Sequence, residues 1–346
     1  MRAVVTGVGH HLPERVVTSA EVEQLVAERS GFTLPPGILQ LLTGVRQRHW
    51  AREDEVSSDY AAAAGRAALE HAGVHPMAID VLITANASHD VAEPATSAIV
   101  QSKLGCRNAS TMDVKNACHG FLNALDVAAA LVGTGRAGRV LVTAGEVLSP
   151  AIDWDVRGMA DLRGKLAGLT LGDAGAAFVV EASGEPDEAG ELSGHAAARG
   201  IRQGDFMTDG DHWELSTLLA GGNLVRHGDA GKFFHCRSDD LAKLAVRHLP
   251  DLFTKTRARV GWENEDIALV VPHQVSRAVV VDLARLWDFP LSRCMVTVDR
   301  FGNTAAAGVP LAASVAVQEG RLAPGDKVVL VAGAAGFSAG VLPVVW

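Results

Sequence analysis

Four cysteines stand in 346 residues, and the closest two, Cys106 and Cys118, are twelve positions apart. That excludes a disulfide scaffold, and the missing CxxC pairing excludes zinc spacing. There is a single tyrosine. No uninterrupted apolar stretch reaches the ~18 residues that a membrane helix needs. The opening run MRAVVTGVGHHLPERVV is broken by His10 and His11 and lacks a small-residue cleavage site, so no signal peptide is expected. Positive charge is in short supply: 31 Lys and Arg face 40 Asp and Glu, a net charge of −9. An acidic balance argues against a general nucleic-acid binder. Gly7-Val8-Gly9 leads into histidines and a proline, not a helix, so a dinucleotide fingerprint is absent. Neither metal nor cofactor is expected. The expectation is a cytoplasmic protein with reduced thiols.

What the sequence does contain is ordinary for a globular chain: 48% hydrophobic residues, 21% charged, and 36 glycines. The length suggests about two domains. Strand-like and helix-like segments alternate. Arg2 to Gly9, Val81 to Ala85, Val140 to Ala144 and Ala174 to Glu181 are apolar strand runs. Ser57 to Ala72 is an alanine-rich helix closed by Gly73, and Gly120 to Val132 is a second helix. This alternation, with strands apolar at every position, predicts a parallel sheet buried on both faces.

The second half repeats the pattern. Ile267 to Val271 and Val328 to Ala332 read as strands, and Thr304 to Glu319 as a helix. GRAGRVLVTAG ends at Gly145 and GRLAPGDKVVLVAG at Gly333, an offset of 333 − 145 = 188. Applied to Cys118, that offset gives Ala306, next to the second helix start; a gap of one or two residues would align the two starts. A duplicated βαβ unit is the favoured reading. Between the halves, Ser183 to Leu192 is an acidic connector, and Ser149 to Leu169 is a polar, interrupted stretch that could form a lid. Asp240 to Val260 is again helical.

Cys118 lies in DVKNACHGFLNALDVAAA, at the start of an amphipathic helix. The free N–H groups and dipole of a helix start favour a thiolate, which is how a cysteine becomes a nucleophile. Cys106, Cys236 and Cys294 lack that context and read as structural. His273 follows a strand in IALVVPHQVSRAVV, and Asn303 sits at a loop-to-helix switch in DRFGNTAAAG. Residues just past strand C-termini converge on one edge of a parallel sheet, so the three can meet.

These stretches resemble the thiolase superfamily, in particular its ketoacyl-acyl carrier protein synthase III branch. The resemblance runs through TGVRQRHWA, NACHGF, LTLGDAGAAFVVE, PHQVSR, GNTAAAGVPLAAS and GAAGFSAG, in the family order and over nearly the whole chain. It implies a duplicated, layered αβαβα fold, with halves 1–182 and 183–346, and a homodimer. It implies an acylated Cys118, with His273 and Asn303 binding the second thioester's carbonyl. The oxyanion hole would use the N–H groups of Cys118 and Ala335. Substrate contacts are expected from Ser276, Arg46, His119 and Phe337, with acyl-CoA or acyl carrier protein as substrates. Arg46 and Arg48 are weaker candidates for lining a basic approach to a phosphopantetheine-bearing carrier, and the basic helix run Lys243, Arg247, Lys255, Arg257 and Arg259 for docking an acidic carrier protein.

Three departures narrow the resemblance. Ser276 stands where the family has an asparagine, Leu42 where it has an arginine, and Glu93 where it has an uncharged residue. All three, with the closing Val344-Val345-Trp346, look like the head-to-head acyl-condensing thiolases of olefin and β-lactone pathways. There the glutamate enters the partner subunit's site and serves as base. Joining two plain acyl thioesters requires such a base; a malonyl donor, which loses carbon dioxide, does not. The expected activity is therefore Claisen condensation through a Cys118 acyl-enzyme. The alternatives are decarboxylative synthesis, acyl transfer to another acceptor, and a non-catalytic partner subunit.

Overall fold

The computed structural model describes residues 1–183, 199–222, 224–225 and 231–346. The acidic connector beyond Ser183 thus lies outside the described residues.

Two five-stranded sheets dominate. The first orders its strands β1 (Ala3–His11), β7 (Ala174–Ala182), β6 (Arg139–Glu146), β4 (Val81–Thr84) and β5 (Ser110–Asp113). The second runs β12 (Ile267–Pro272), β13 (Lys327–Ala334), β14 (Ser338–Val345) and β8 (Gly200–Ile201), with β9 (Asp205–Thr208) also on β14. Two small ladders join β2 (Arg15–Thr18) to β3 (Gln47–Trp50) and β10 (Ser216–Thr217) to β11 (His235–Cys236).

The sheets are mixed, which corrects the parallel expectation. β4 pairs in parallel with β5 and β6, and β12 with β13, but β6–β7, β7–β1 and β13–β14 are antiparallel. Both faces of each sheet are covered by helices, and double burial makes a strand apolar at every position whatever its direction.

Helices Gly120–Gly133 and Gly308–Gln318 form the middle layer, and one apolar core links them to both sheets. Helices Ser57–Ala72 and Thr96–Leu104 cover the outer face of the first sheet. Ser238–Val260 and Arg277–Leu286 cover the second. The result is the layered αβαβα arrangement. Glycine sets the spacing of the first outer layer. A Cβ at Gly145 would come 2.0 Å from Ser57 O, and one at Gly175 2.0 Å from Tyr60 O, so helix Ser57–Ala72 lies directly on the strands.

The duplication holds without any gap. Ala85 N donates to Thr143 O at 2.8 Å, and 188 residues on, His273 N donates to Val331 O at 2.7 Å. One-turn 3₁₀ helices Ala117–His119 and Ala305–Ala307 precede the two middle helices. Each opens on a non-glycine residue of positive φ, 45° at Ala117 and 44° at Ala305. Cys118 and Ala306 are therefore true counterparts.

Candidate active site

Besides the helix it leads into, the Cys118 turn touches the Ala305–Ala307 turn, β13 and β14. Asn303 lies just ahead of that second turn, and its Oδ1 accepts from Ala305 N at 3.1 Å. Its backbone is tied on both sides, N to Thr170 O at 2.8 Å and O from Gly172 N at 3.0 Å. His273 follows β12 and is buried, and neither ring nitrogen has a hydrogen-bond partner. Its ring faces the same turn, since a Cβ at Gly308 would lie 3.3 Å from His273 Nδ1. Burial pushes the imidazole down to about 4, so it is neutral at physiological pH. An uncharged, unpaired histidine in a dry site offers its ring to a bound carbonyl.

Gln274, which sequence reading passed over, fixes the approach to Asn303. Its Oε1 accepts from Thr297 N at 2.8 Å and Val298 N at 3.0 Å, and its Nε2 donates to Met295 O at 2.9 Å.

His119 is buried beside Cys118, with Nδ1 2.8 Å from Ser338 Oγ. Burial first, then His273, lowers it to about 4. It is closely packed: its ring lies 5.5 Å from that of Phe206, and a Cβ at Gly340 would meet Nε2 at 2.2 Å. Ala335 occupies the turn joining β13 to β14, beside the Cys118 turn. Phe337, in the same turn, is buried 5.5 Å from the His248 ring.

The thiol departs from expectation. Burial pushes Cys118 up to about 12, helped by the charge of Glu146 and by Cys236; the stabilising backbone N–H ranks last. A short 3₁₀ turn around a partly buried thiol does not lower it the way an exposed helix start does, because desolvation outweighs the dipole. Sequence reading passed over both Glu146 and the nearness of Cys236. The segment Ser149 to Leu169 proves to be a packed wall. Ile152, Val156, Leu162 and Leu169 are buried in a cluster that Cys118 also touches.

Glu93 is exposed and stands just ahead of helix Thr96–Leu104. The Asp113 carboxylate of edge strand β5 accepts from Thr96 N at 2.7 Å and Ser97 N at 2.8 Å, which ties the Glu93 loop to that edge.

Comparison with known proteins settles the family. The 3-oxoacyl-acyl-carrier-protein (ACP) synthase III model matches residues 112–200, and its C-terminal companion residues 258–346. A beta-ketoacyl-acyl-carrier-protein synthase III of Dinoroseobacter shibae is 34% identical over 100% of this chain and 99% of its own. The Allorhizobium ampelinum protein of that name is 36% identical, with 100% of both chains covered. The chain belongs to the 3-oxoacyl-ACP synthase III family.

It is thus an acyltransferase of the thiolase superfamily, of the kind that performs Claisen condensation. Solved structures agree. The synthase III FabH of Pseudomonas aeruginosa superposes with a TM-score of 0.83 at 28% identity, covering 100% of this chain and 98% of that one. Cerulenin-bound OleA of Xanthomonas campestris gives 0.86 at 26%, covering 100% and 97%.

Within this synthase III family member, two of the expected substrate contacts also have partners inside the chain. Ser276 caps helix Arg277–Leu286, its Oγ accepting from Val279 N at 3.4 Å. Arg46 is exposed but pairs with Asp299 at 2.7 Å. Arg48 is fully buried, donating to Leu169 O at 3.1 Å and Ser19 Oγ at 3.2 Å, so it faces no substrate entrance. The basic helix run is largely internal pairing: Arg259 and Lys255 meet Asp205, and Lys243 meets Asp240. Arg46 lines an open groove of about 1150 Å³ together with Leu41, Leu42, Arg277 and Arg285. Among the described residues no helix is long and apolar enough to cross a membrane.

Proposed function

We propose that Cys118 accepts an acyl chain from a CoA or carrier-protein thioester and that the bound chain is condensed with a second thioester to a β-keto product. The observation that carries this reading is the buried His273, with both ring nitrogens unpartnered, packed against the turn that follows Asn303 and adjoins Cys118. His273 and Asn303 bind the carbonyl oxygen of the second thioester and stabilise its enolate. The N–H groups of Cys118 and Ala335 bind the oxygen of the acyl-enzyme. His119 and Phe337 shape the pocket. The half 1–182 supplies the nucleophile, and 183–346 supplies His273 and Asn303. The proton of the Cys118 thiol, held up near 12, passes to the departing CoA or carrier thiolate as the enzyme is acylated.

Glu93 acts as the base for two plain acyl chains, in the site of a second copy. The support is its exposure and its tie to β5, an edge strand among the described residues, along which a second copy would pair in the cytoplasm. The groove along Arg46, Arg277 and Arg285 receives the phosphate-bearing arm of the substrate. A decarboxylative reaction with a malonyl thioester is the second reading, favoured by the names of the full-length relatives.

The test supplies two plain acyl thioesters, with and without malonyl thioester, and reads carbon dioxide, β-keto product and the mass of the Cys118 peptide. Cys118→Ala loses the adduct. Glu93→Gln keeps it and loses non-decarboxylative product by roughly 10². Co-expressed Cys118→Ala and Glu93→Gln chains regain activity, because one site then holds both groups. Product only from malonyl thioester, unaffected by Glu93→Gln, selects the decarboxylative reading; no adduct on Cys118 refutes both.

A further inference from the structure

Glu146 ends β6 and is wholly buried. Its Oε1 accepts from Ala87 N at 2.7 Å and Ala306 N at 3.2 Å, and its Oε2 from Ser88 N at 2.9 Å and Ser88 Oγ at 2.7 Å. Among the described residues, no salt bridge to Lys, Arg or His neutralises it. A buried carboxylate without a cation is costly and needs a reason.

The duplication supplies one. Ala306 is the counterpart of Cys118, at 118 + 188 = 306. The Cys118 N–H is assigned above to the thioester oxygen; the matching N–H in the second half is filled by Glu146 Oε1. Glu146's own counterpart is Ala334, at 146 + 188 = 334, a methyl group. No carboxylate therefore competes for the Cys118 N–H. One of two equivalent holes is plugged and the other is left for substrate.

We propose that Glu146 is a positioning residue of the condensing site: it anchors the Ala305–Ala307 turn behind Asn303, and, because that turn packs against the Cys118 turn, its charge opposes ionisation of the thiol. The titratable groups around the thiol are His119 on its own turn, His273 after β12, Cys236 on β11 and Glu146 on β6. Burial leaves both histidines neutral, so Glu146 is the charge that acts on the sulfur. Burial also lifts Glu146 to about 7, so that charge switches within the working range. The proposal rests on Cys118 as nucleophile for its effect on condensation, but the ionisation is read on the thiol itself.

The experiment is the rate of Cys118 alkylation by iodoacetamide, followed by peptide mass mapping from pH 6 to 9.5. In the native enzyme the logarithm of the rate climbs less steeply than one per pH unit between pH 6 and 8, as Glu146 ionises and opposes the thiolate. Glu146→Gln keeps an acceptor for Ala306 and removes the charge. Its profile is straight, meets the native one near pH 6, and runs about 10-fold faster at pH 9. Parallel profiles for native and folded Glu146→Gln protein overturn the proposal. If the variant does not fold, a straight native profile of unit slope overturns it alone. A bent native profile with no acyl adduct on Cys118 upholds the charge effect while refuting the nucleophile.

Discussion

Gly308→Ala separates the positioning of His273 from the acylation of Cys118. Gly308 has helical φ −62° and ψ −45°, so alanine fits the backbone and gains about 0.5–1 kcal/mol of helix propensity. Its Cβ lands 3.3 Å from His273 Nδ1 and 3.4 Å from Thr304 Oγ1. No backbone atom beyond the helix lies closer than these, so a side chain must give, by a few tenths of an ångström. A misplacement of ~1 Å at a reacting group costs about 10², so a shift of this size costs roughly tenfold, about 1.4 kcal/mol in the barrier. Cys118 and its oxyanion donors are not touched. The expected outcome is stability within about 1 kcal/mol of the parent by urea unfolding, Cys118 acylation within about twofold by intact mass, and condensation about tenfold slower. Undiminished condensation, or acylation falling as far as condensation, would refute the reasoning.

Two further outcomes follow from the packing and the charges. Gly145→Ala drives a Cβ to 2.0 Å from Ser57 O and 2.6 Å from Ala61 N, both backbone, and should cost ~3 kcal/mol or more in urea midpoint, with loss of soluble protein as its harsher form. The pH dependence of stability has a definite sign: His119 and His273, each lowered from 6.5 to about 4, penalise the fold as pH falls from 6.5 toward 4. Glu146, raised from 4.5 to about 7, acts oppositely and penalises it as pH rises through that span. For these three groups the balance is a loss equivalent to about one proton between pH 6.5 and 4.5, measured as the difference in urea stability at stepped pH between the native protein and His119→Gln; a variant that loses as much stability on acidification as the native protein contradicts it.

The apolar strand runs, the alanine-rich helix and the repeat of GR-turn-strand segments were legible because burial on both faces and close helix packing leave a strong compositional mark. Strand direction was not, since doubly covered strands look alike either way round. Cys118, His273 and Asn303 stood out through their place after strands and their family motifs. The ionisation of Cys118 did not. It depends on how much water the finished pocket excludes and on a carboxylate 28 positions further along, 146 − 118. Glu146 could have been suspected from one signal, a charged residue closing an otherwise apolar strand. Arg48 shows the converse: residue type suggested a basic approach for the substrate, while the fold uses it as an interior tie to Leu169 O and Ser19 Oγ.

The paired turns at Ala117 and Ala305 share a backbone bend that costs a non-glycine residue on the order of 1–3 kcal/mol. Strain of this kind is readily credited to catalysis, yet here it occurs twice and only one copy carries a thiol. The bend is what it takes to drop a chain from a sheet edge into a central helix, and the architecture demands it on both sides. The proposed reactivity is thus a tenant of one of two equal ledges. What sets the Cys118 ledge apart is that its twin, furnished with the same amide, holds an internal acid that has only Ala334 as its counterpart.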